Sequence, residues 1–186
     1  MSILKRIYNR FFSKKTSTEL ELEYLQSKGM QIGKNVNCFS ADSFDHIYPH
    51  LISIGDNTTI SSSVMILAHD ASPNVVGCGT KVGRVKIGSN VFVGGGSTIL
   101  CDVTIGDNVI IGASSVVSKD LPSNAVYAGV PARRICSIEE YKAKYEALRQ
   151  ERADLSKIMP WYEWPNASME KKQEMREIVE EDFAFI

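Results

Sequence analysis

The sequence has little cysteine and almost no net charge. Its four cysteines, Cys38, Cys78, Cys101 and Cys136, are widely spaced and form no CxxC pair. This spacing argues against a structural zinc site and against a disulfide-rich secreted scaffold, so we expect reduced thiols in a cytoplasmic protein that binds no metal. Lys and Arg number 21 against 22 for Asp and Glu, a balance that lacks the basic excess of a nucleic-acid-binding protein.

Long apolar segments are also missing. No run approaches the roughly 20 residues that a transmembrane helix needs, and the basic N-terminus lacks the apolar core of a secretory signal. Apolar residues at helical spacing do occur there, at Leu4, Ile7, Tyr8, Phe11 and Phe12. We expect this helix to pack on the protein itself, with a weak peripheral contact to an anionic membrane as the alternative.

Composition and periodicity divide the chain into three segments. Residues 1–30 form an N-terminal helical segment that ends near Gly29, a common residue at the end of a helix. Residues 31–136 form a β domain with a loop at 70–84, and residues 137–186 form a C-terminal helical tail. With 44% hydrophobic residues, a chain of this length can bury one substantial core.

A six-residue repeat dominates the middle of the chain. Ile or Val recurs at every sixth position, at Ile87, Val93, Ile99, Ile105, Ile111 and Val117. An earlier block has the same pattern at Ile54, Ile60 and Ile66. The spacing of 21 residues from Ile66 to Ile87 is not a multiple of six, so a loop must leave the regular structure between the two blocks.

Such a repeat predicts a three-sided solenoid. One strand and its turn make one side of a prism, three sides close one coil, and the Ile or Val points inward to stack on the next coil. The Gly that often follows sits where the chain bends and a Cβ would crowd or strain it. The Asp56-Asn57 and Asp107-Asn108 pairs suit the corners. The alternative, a β-sandwich, predicts irregular spacing between its strands, which this sequence does not show.

The residues that follow Val93 extend the pattern to a specific ending. Residues 93–135 read VGGGSTILCDVTIGDNVIIGASSVVSKDLPSNAVYAGVPARRI. This stretch resembles the hexapeptide-repeat acyltransferases, and among them the maltose and galactoside acetyltransferases and the O-acetyltransferases of polysaccharide clusters. The resemblance implies a left-handed parallel β-helix and a homotrimer with active sites between subunits. It also implies transfer of an acetyl group from acetyl-CoA.

His69 is the candidate general base. An acceptor hydroxyl needs a base as it attacks a thioester, and histidine, with an ordinary pKa of about 6.5, suits that task. His69 leaves the repeats where the long loop begins, which matches the position of the catalytic histidine in the resembled family. Asp70 either orients the imidazole or is a plain turn residue. We expect structural or subunit-contact roles for His46 and His50.

The resemblance implies further contacts with acetyl-CoA. Gly95 and Ala113 stand where the family offers backbone amides to the pantetheine arm, and small residues let a ligand approach the backbone. Ser118 and Lys119 match the family's contact near the adenine and phosphate end.

The same resemblance extends to the nucleotide phosphate and to the acceptor. Arg133 matches a residue near the 3′-phosphate, and Arg134 is a second candidate, because Arg binds phosphate through two parallel, charge-assisted hydrogen bonds. Cys136 stands where related enzymes have another basic residue. By analogy with the galactoside enzymes, Asn37 and Asp45 are candidates to bind acceptor hydroxyls.

The sequence therefore predicts an acetyl-CoA-dependent O-acetyltransferase that acts by direct transfer on a sugar or polysaccharide precursor. N-acetylation of an amino sugar or antibiotic is the alternative, with the same histidine. A zinc-binding or purely structural β-helix is disfavoured, because the repeat region holds a single histidine. A cysteine acyl-enzyme is disfavoured, because Cys38, Cys78 and Cys101 have no adjacent base.

Overall fold

The computed structural model describes residues 15–180 and 182–185. The helix expected from the first twelve residues, and the membrane contact considered for it, lie outside the described residues. The chain divides into two compact units, one that ends at Ile138 and one that begins at Glu139.

Short strands and three α-helices make up most of the regular structure of the described residues. The helices are α1 (Ser17–Ser27), α2 (Ile138–Glu151) and α3 (Met169–Ile178). The strands are β1 (Gln31–Ile32), β2 (Asn37–Cys38), β3 (Ile52–Ile54), β4 (Thr59–Ile60), β5 (Met65–Ile66), β6 (His69–Asp70), β7 (Lys81–Val82), β8 (Val85–Ile87), β9 (Phe92–Val93), β10 (Thr98–Ile99), β11 (Val103–Ile105), β12 (Val109–Ile111), β13 (Val116–Val117), β14 (Ala125–Ala128) and β15 (Arg133–Ser137).

Most of the strands belong to three sheets that the chain visits in rotation. Sheet A contains β1, β3, β8 and β11, and sheet C contains β5, β10 and β13. Sheet B contains β2, β4, β9, β12 and β14, with β15 antiparallel at its edge. All other pairs within these sheets are parallel, and Ile87 lies between Ile54 and Ile105 in sheet A. Successive coils therefore stack in register, and the predicted mainly β class is confirmed.

The core runs along the axis of these coils. The repeated Ile and Val positions of both blocks are at most 4% exposed: Ile54, Ile60, Ile66, Ile87, Val93, Ile99, Ile105, Ile111 and Val117. The predicted inward positions are therefore confirmed. Burial of each such side chain contributes about 1.5–3 kcal/mol relative to exposure, and stacking multiplies this contribution along the coil.

The corners explain the small and polar residues of the repeat. A Cβ on Gly88 would lie 2.7 Å from the backbone carbonyl of Gly106, so crowding by the next coil requires glycine there. Asn57 and Asn108 have φ values of 55° each, in the left-handed region that Asn tolerates better than most residues. The Asp-Asn pairs lie between strands of sheets A and B, at the corners where they were predicted.

The break between the two blocks is a loop with its own hairpin. β6 and β7 pair antiparallel, with His69 opposite Val82. The backbone N–H of Gly83 donates to the carbonyl oxygen of Ala68 at 2.9 Å, which closes the base of the loop. A 3-10 turn at Ser72–Val76 lies between the two strands.

The second unit, from Glu139 onward, has a small core of its own. Leu155, Trp164 and Ala167 are buried together, and α3 begins where Ser168 accepts a hydrogen bond from the backbone N–H of Lys171 at 3.3 Å. Across the described range of the chain, none of the helices combines the length and the apolar character required to cross a bilayer.

Candidate active site

His69 stands at the corner where the coil leaves sheet C and the long loop begins. The corner is anchored by Leu67, whose backbone N–H donates to the carbonyl oxygen of Ile99 at 2.9 Å. The side chain of His69 is 26% exposed. Part of its ring can therefore be reached from solvent while the rest is held by the fold.

A buried carboxylate holds this imidazole. Nδ1 of His69 hydrogen-bonds to Oδ2 of Asp45, whose side chain is only 1% exposed. The carboxylate also accepts hydrogen bonds from the backbone N–H groups of Ile47, Tyr48 and Ala68, at 2.9, 3.2 and 3.0 Å. Because a carboxylate can only accept, the proton of neutral His69 lies on Nδ1, and Nε2 is left as the basic nitrogen.

Opposing effects act on the pKa of the Asp45 carboxyl. Burial raises it, because the charged form loses its water. The hydrogen bonds from His69 and from the backbone amides outweigh burial and hold the pKa of Asp45 below its ordinary value. Asp45 is therefore ionised at neutral pH, the state that stabilises a protonated imidazole.

The first coil brings Asp45 to this position. Phe44 forms a parallel bridge with Ile66 of β5, and the backbone N–H of Asp45 donates to the carbonyl oxygen of Ile66 at 3.0 Å. Asp45 therefore lies beside the corner that carries His69, although the two residues are 24 positions apart in the chain.

Tyr48 packs against the same imidazole. The ring centroids of Tyr48 and His69 are 5.4 Å apart with an interplanar angle of 62°, a T-shaped contact. The sequence interpretation missed Tyr48. The only signal available was one aromatic residue between His46 and His50, which carries no periodicity and no motif.

Asp70 is placed differently from the orienting role considered for it. Its carboxylate accepts a hydrogen bond from the backbone N–H of Ser72 at 2.9 Å. This contact is the main cause that lowers the pKa of the Asp70 carboxyl. Asp70 therefore closes a turn, whereas Asp45 contacts the imidazole.

The pair of residues considered for the acceptor is not brought together. Asn37 is exposed on β2 of sheet B, whereas Asp45 follows Phe44 at the edge of sheet C. The carboxylate of Asp45 is buried and already has four donors, so it has no free surface for an acceptor hydroxyl. The structure corrects this expectation, because it makes Asp45 a partner of His69 instead.

The small residues expected along the pantetheine arm stack at the corner between sheets B and C. The backbone N–H of Ser114, next to Ala113, donates to the carbonyl oxygen of Gly95 at 2.9 Å. A Cβ on Gly95 would lie 3.3 Å from the carbonyl oxygen of Ser62, so a larger residue would press on the neighbouring coil. With little side chain at either position, the backbone of this corner is open to a ligand.

The polar and basic candidates lie on the last coils. Ser118 and Lys119 follow β13 and are exposed. Arg133 and Arg134 are exposed on β15, opposite Ala128 and Tyr127 of β14. All four candidate side chains are therefore accessible to an anionic ligand. As for metals, no group of three His, Cys, Asp or Glu side chains within the described residues is arranged to hold an ion.

Comparison with known proteins agrees with this architecture. Residues 84–119 match the family of bacterial transferases with hexapeptide repeats (six repeats). Protein CapG of Staphylococcus aureus is 38% identical over 163 residues, which cover 83% of this chain and 90% of that protein.

Solved structures with a similar fold include two enzymes bound to the coenzyme. Galactoside acetyltransferase in complex with coenzyme A is 28% identical, has a TM-score of 0.51, and is matched over 73% of this chain and 78% of that one. A hexapeptide-repeat acetyltransferase from Vibrio cholerae, complexed with acetyl-CoA, is 25% identical with a TM-score of 0.50, over 66% and 79% of the two chains. The resemblance carried by residues 93–135 is thereby confirmed: the chain belongs to the bacterial hexapeptide-repeat transferase family and is an acyltransferase of that type.

Proposed function

We propose that this protein transfers an acetyl group from acetyl-CoA to a hydroxyl group of a saccharide, with His69 as general base and Asp45 as its positioning residue. The observation that carries the proposal is the hydrogen bond between Nδ1 of the partly exposed His69 and the buried carboxylate of Asp45. A base must present one nitrogen to the acceptor while the other is held, and this pair meets that need.

The proposed reaction is a direct transfer. Nε2 of His69 accepts the proton of the acceptor hydroxyl as its oxygen attacks the thioester carbonyl carbon. The C–S bond then breaks, and the imidazolium returns the proton to the thiolate of coenzyme A. The ionised Asp45 stabilises the imidazolium between these two proton transfers.

Acetyl-CoA is the proposed co-substrate, by likeness to the two solved relatives bound to acetyl-CoA or coenzyme A. Gly95 and Ala113 would present backbone groups to the pantetheine arm. At the far end of the coenzyme, the proposed contacts of its nucleotide and phosphates are Ser118, Lys119, Arg133 and Arg134. Their exposure supports this assignment.

The proposed assembly follows from family membership. We infer that the coils are left-handed and that three copies of the chain form a homotrimer with active sites between subunits. The catalytic segment is residues 31–136, between helical segments at 1–30 and 137–186.

A saccharide is the proposed acceptor because a solved relative acts on galactosides. An amine acceptor, as on an amino sugar or antibiotic, would use the same base. Acceptor profiling with radiolabelled acetyl-CoA separates the two cases, because an ester product is cleaved by mild alkali whereas an amide product survives.

The decisive variant is His69→Ala. We expect its kcat to fall by about 10²–10⁴, the usual contribution of a general base, while the chain stays folded and its oligomeric mass is unchanged. His46→Ala is the matched control, because His46 is exposed and contacts Glu21 at 3.6 Å rather than the candidate site. Undiminished turnover in folded His69→Ala would remove His69 from the mechanism.

A further inference from the structure

A basic cleft opens on the outer face of sheet A, at the start of its strands. It has a volume of about 290 Å³, and its polar wall consists of Gln31, His50, Ser53, Arg84 and Lys86. None of the acceptor or coenzyme contacts proposed above lies in this wall. The cleft therefore needs an explanation of its own.

The strand pattern directs these side chains into the cleft. Val85 is fully buried, and successive side chains of a strand point to opposite faces, so Arg84 and Lys86 both point outward. Lys86 pairs with Ser53, and Ser53 pairs with Gln31, in the parallel register of sheet A. Two cations and two neutral hydrogen-bonding side chains are thus stacked on one surface.

The positive charge of the cleft is not neutralised. The side chains of Arg84 and Lys86 make no hydrogen bond or ion pair within residues 15–180 and 182–185, and no carboxylate lines the cleft. Elsewhere on this unit, Lys81 lies 3.6 Å from the carboxylate of Asp102. Cations gathered in one cleft repel each other, and an anion bound between them would relieve that repulsion.

The cleft is connected to the catalytic base through one aromatic ring. The ring of Tyr48 lies 6.2 Å from that of His50 in the cleft wall and 5.4 Å from that of His69. On the other side, Arg84 follows Gly83, whose N–H donates to the carbonyl oxygen of Ala68, the residue before His69. The cleft and the base are therefore neighbours of the same ring and of the same loop base.

We propose that this cleft binds the anionic group, a phosphate or a carboxylate, of the acceptor saccharide. The inference rests on the proposed function and names the substrate class of that site. The guanidinium of Arg84 can bind two oxygens of such a group at once, and Lys86 adds a point charge. Ser53 and Gln31 can donate to its remaining oxygens, and the hydroxyl-bearing ring then lies toward His69.

The donor's own phosphates are a different set of anions. Two of their proposed contacts lie in the last coils of the chain. Lys119 follows β13, and Arg133 lies on β15. The cleft lies on β1, β3 and β8, in the first three coils. Loss of the cleft cations is therefore expected to affect the acceptor and to leave the KM for acetyl-CoA unchanged.

The test compares matched acceptors with charge-removing variants. The acceptors are hexoses, the corresponding hexose phosphates and the corresponding hexuronates, and the variants are Arg84→Gln and Lys86→Gln. Lys34→Gln is the control, because Lys34 is an exposed cation on the same coil as Gln31 but outside the cleft. Titration calorimetry of hexose phosphate binding without acetyl-CoA gives a readout that does not depend on turnover.

We expect the wild type to have a lower KM for one of the two anionic acceptor classes than for the neutral hexose. The difference between the two KM values should shrink as the salt concentration rises, because salt screens the attraction between charges. Arg84→Gln and Lys86→Gln should each raise that KM about tenfold, as when one charge-assisted hydrogen bond is lost, whereas Lys34→Gln should not. The preferred class distinguishes phosphate from carboxylate.

Provided that neutral hexoses are acetylated, either of two results would overturn the proposal. One is equal KM values for neutral and anionic acceptors in the wild type. The other is a raised KM for acetyl-CoA, rather than for the acceptor, in the cleft variants. Failure of the proposed function would look different, because no acceptor would then be acetylated at all.

Discussion

Asp45 and Asp70 are two carboxylates near one imidazole, and their environments differ sharply. Asp45 is buried and contacts His69, whereas Asp70 is exposed and caps a turn through Ser72. Only the first arrangement can both orient the ring and stabilise its protonated form, since a buried charge is screened less by water than an exposed one.

The two carboxylates therefore give a matched pair of variants. Asp45→Asn keeps the size of the side chain but removes its charge, and we expect kcat/KM to fall by about 10²–10⁴, as when the carboxylate of a catalytic triad is neutralised. Asp70→Asn should stay within about threefold of the wild type, the change expected when an exposed turn contact is weakened. Steady-state kinetics on both variants checks this. A larger loss in Asp70→Asn than in Asp45→Asn would return the orienting role to Asp70.

The lowered pKa of Asp45 also predicts how stability depends on pH. A carboxyl whose pKa is lower in the folded than in the unfolded state stabilises the fold above its ordinary pKa, and this stability is lost as pH falls through the lowered value. Urea unfolding of the wild type and Asp45→Asn from about pH 6 to about pH 3 should therefore show a difference in unfolding free energy that shrinks toward acid. A constant difference would contradict the stated cause.

At the scale of an element, the corner between sheets A and B is joined by a chain of side-chain amides. Asn35, Asn57, Asn90, Asn108 and Asn124 all have positive φ. Their side chains bond one to the next, at 3.0, 3.4, 3.2 and 2.8 Å. Asparagine has two roles at this corner. It tolerates the left-handed backbone conformation, and its side-chain amide hydrogen-bonds to the next coil.

Substitutions at Asn90 separate these two contributions. Asn90→Ala loses both amide hydrogen bonds. Alanine also keeps the steric strain of a side chain at φ 57° without the contacts that offset it for asparagine. We therefore expect the free energy of unfolding to fall by about 1–3 kcal/mol. Asn90→Gly loses the hydrogen bonds but adopts the same φ without strain, so its loss should be smaller. Urea titration measures both, and a larger loss for glycine would contradict the role assigned to the backbone.

At the scale of the whole molecule, the coil carries apolar side chains on its outside. Phe92 of sheet B is 45% exposed and Met65 of sheet C is 49% exposed, whereas the inward Ile and Val positions are buried. These two outward apolar side chains are the positions at which we test contact with further copies of the chain in the proposed trimer.

The assembly can be measured directly. Sedimentation equilibrium should give a mass three times the 20.6 kDa of one chain, and Phe92→Glu should lower that mass together with turnover, because the proposed active sites lie between subunits. Gln26→Glu, at an exposed position of α1, is the control for an added charge. A fully active species with the mass of one chain would contradict the proposed trimer.

Much of the fold could be predicted from the sequence because its signal is local. The inward positions from Ile54 to Val117, the small residues at the corners and the loop after His69 all follow from a period of six. His69 was predicted as the base because it stands where this period breaks and matches the position of the catalytic histidine in the resembled family. The coenzyme contacts were expected on family position and stay predictions: Gly95 and Ala113 lie at a corner, and Ser118, Lys119, Arg133 and Arg134 are exposed.

The partner of His69 and the basic cleft were decided by the tertiary structure. Asp45 and Tyr48 belong to the irregular first coil, where no period predicts which residue will lie beside β5. His50, Arg84 and Lys86 come from separate segments, so their common surface exists only once the coils have stacked. The sequence by itself determined the repeat, because a period of six depends on neighbours within a few residues, and it gave His69 as the proposed base. Stacking between coils determined which carboxylate contacts His69 and which side chains line the cleft, because these contacts join residues more than twenty positions apart in the chain.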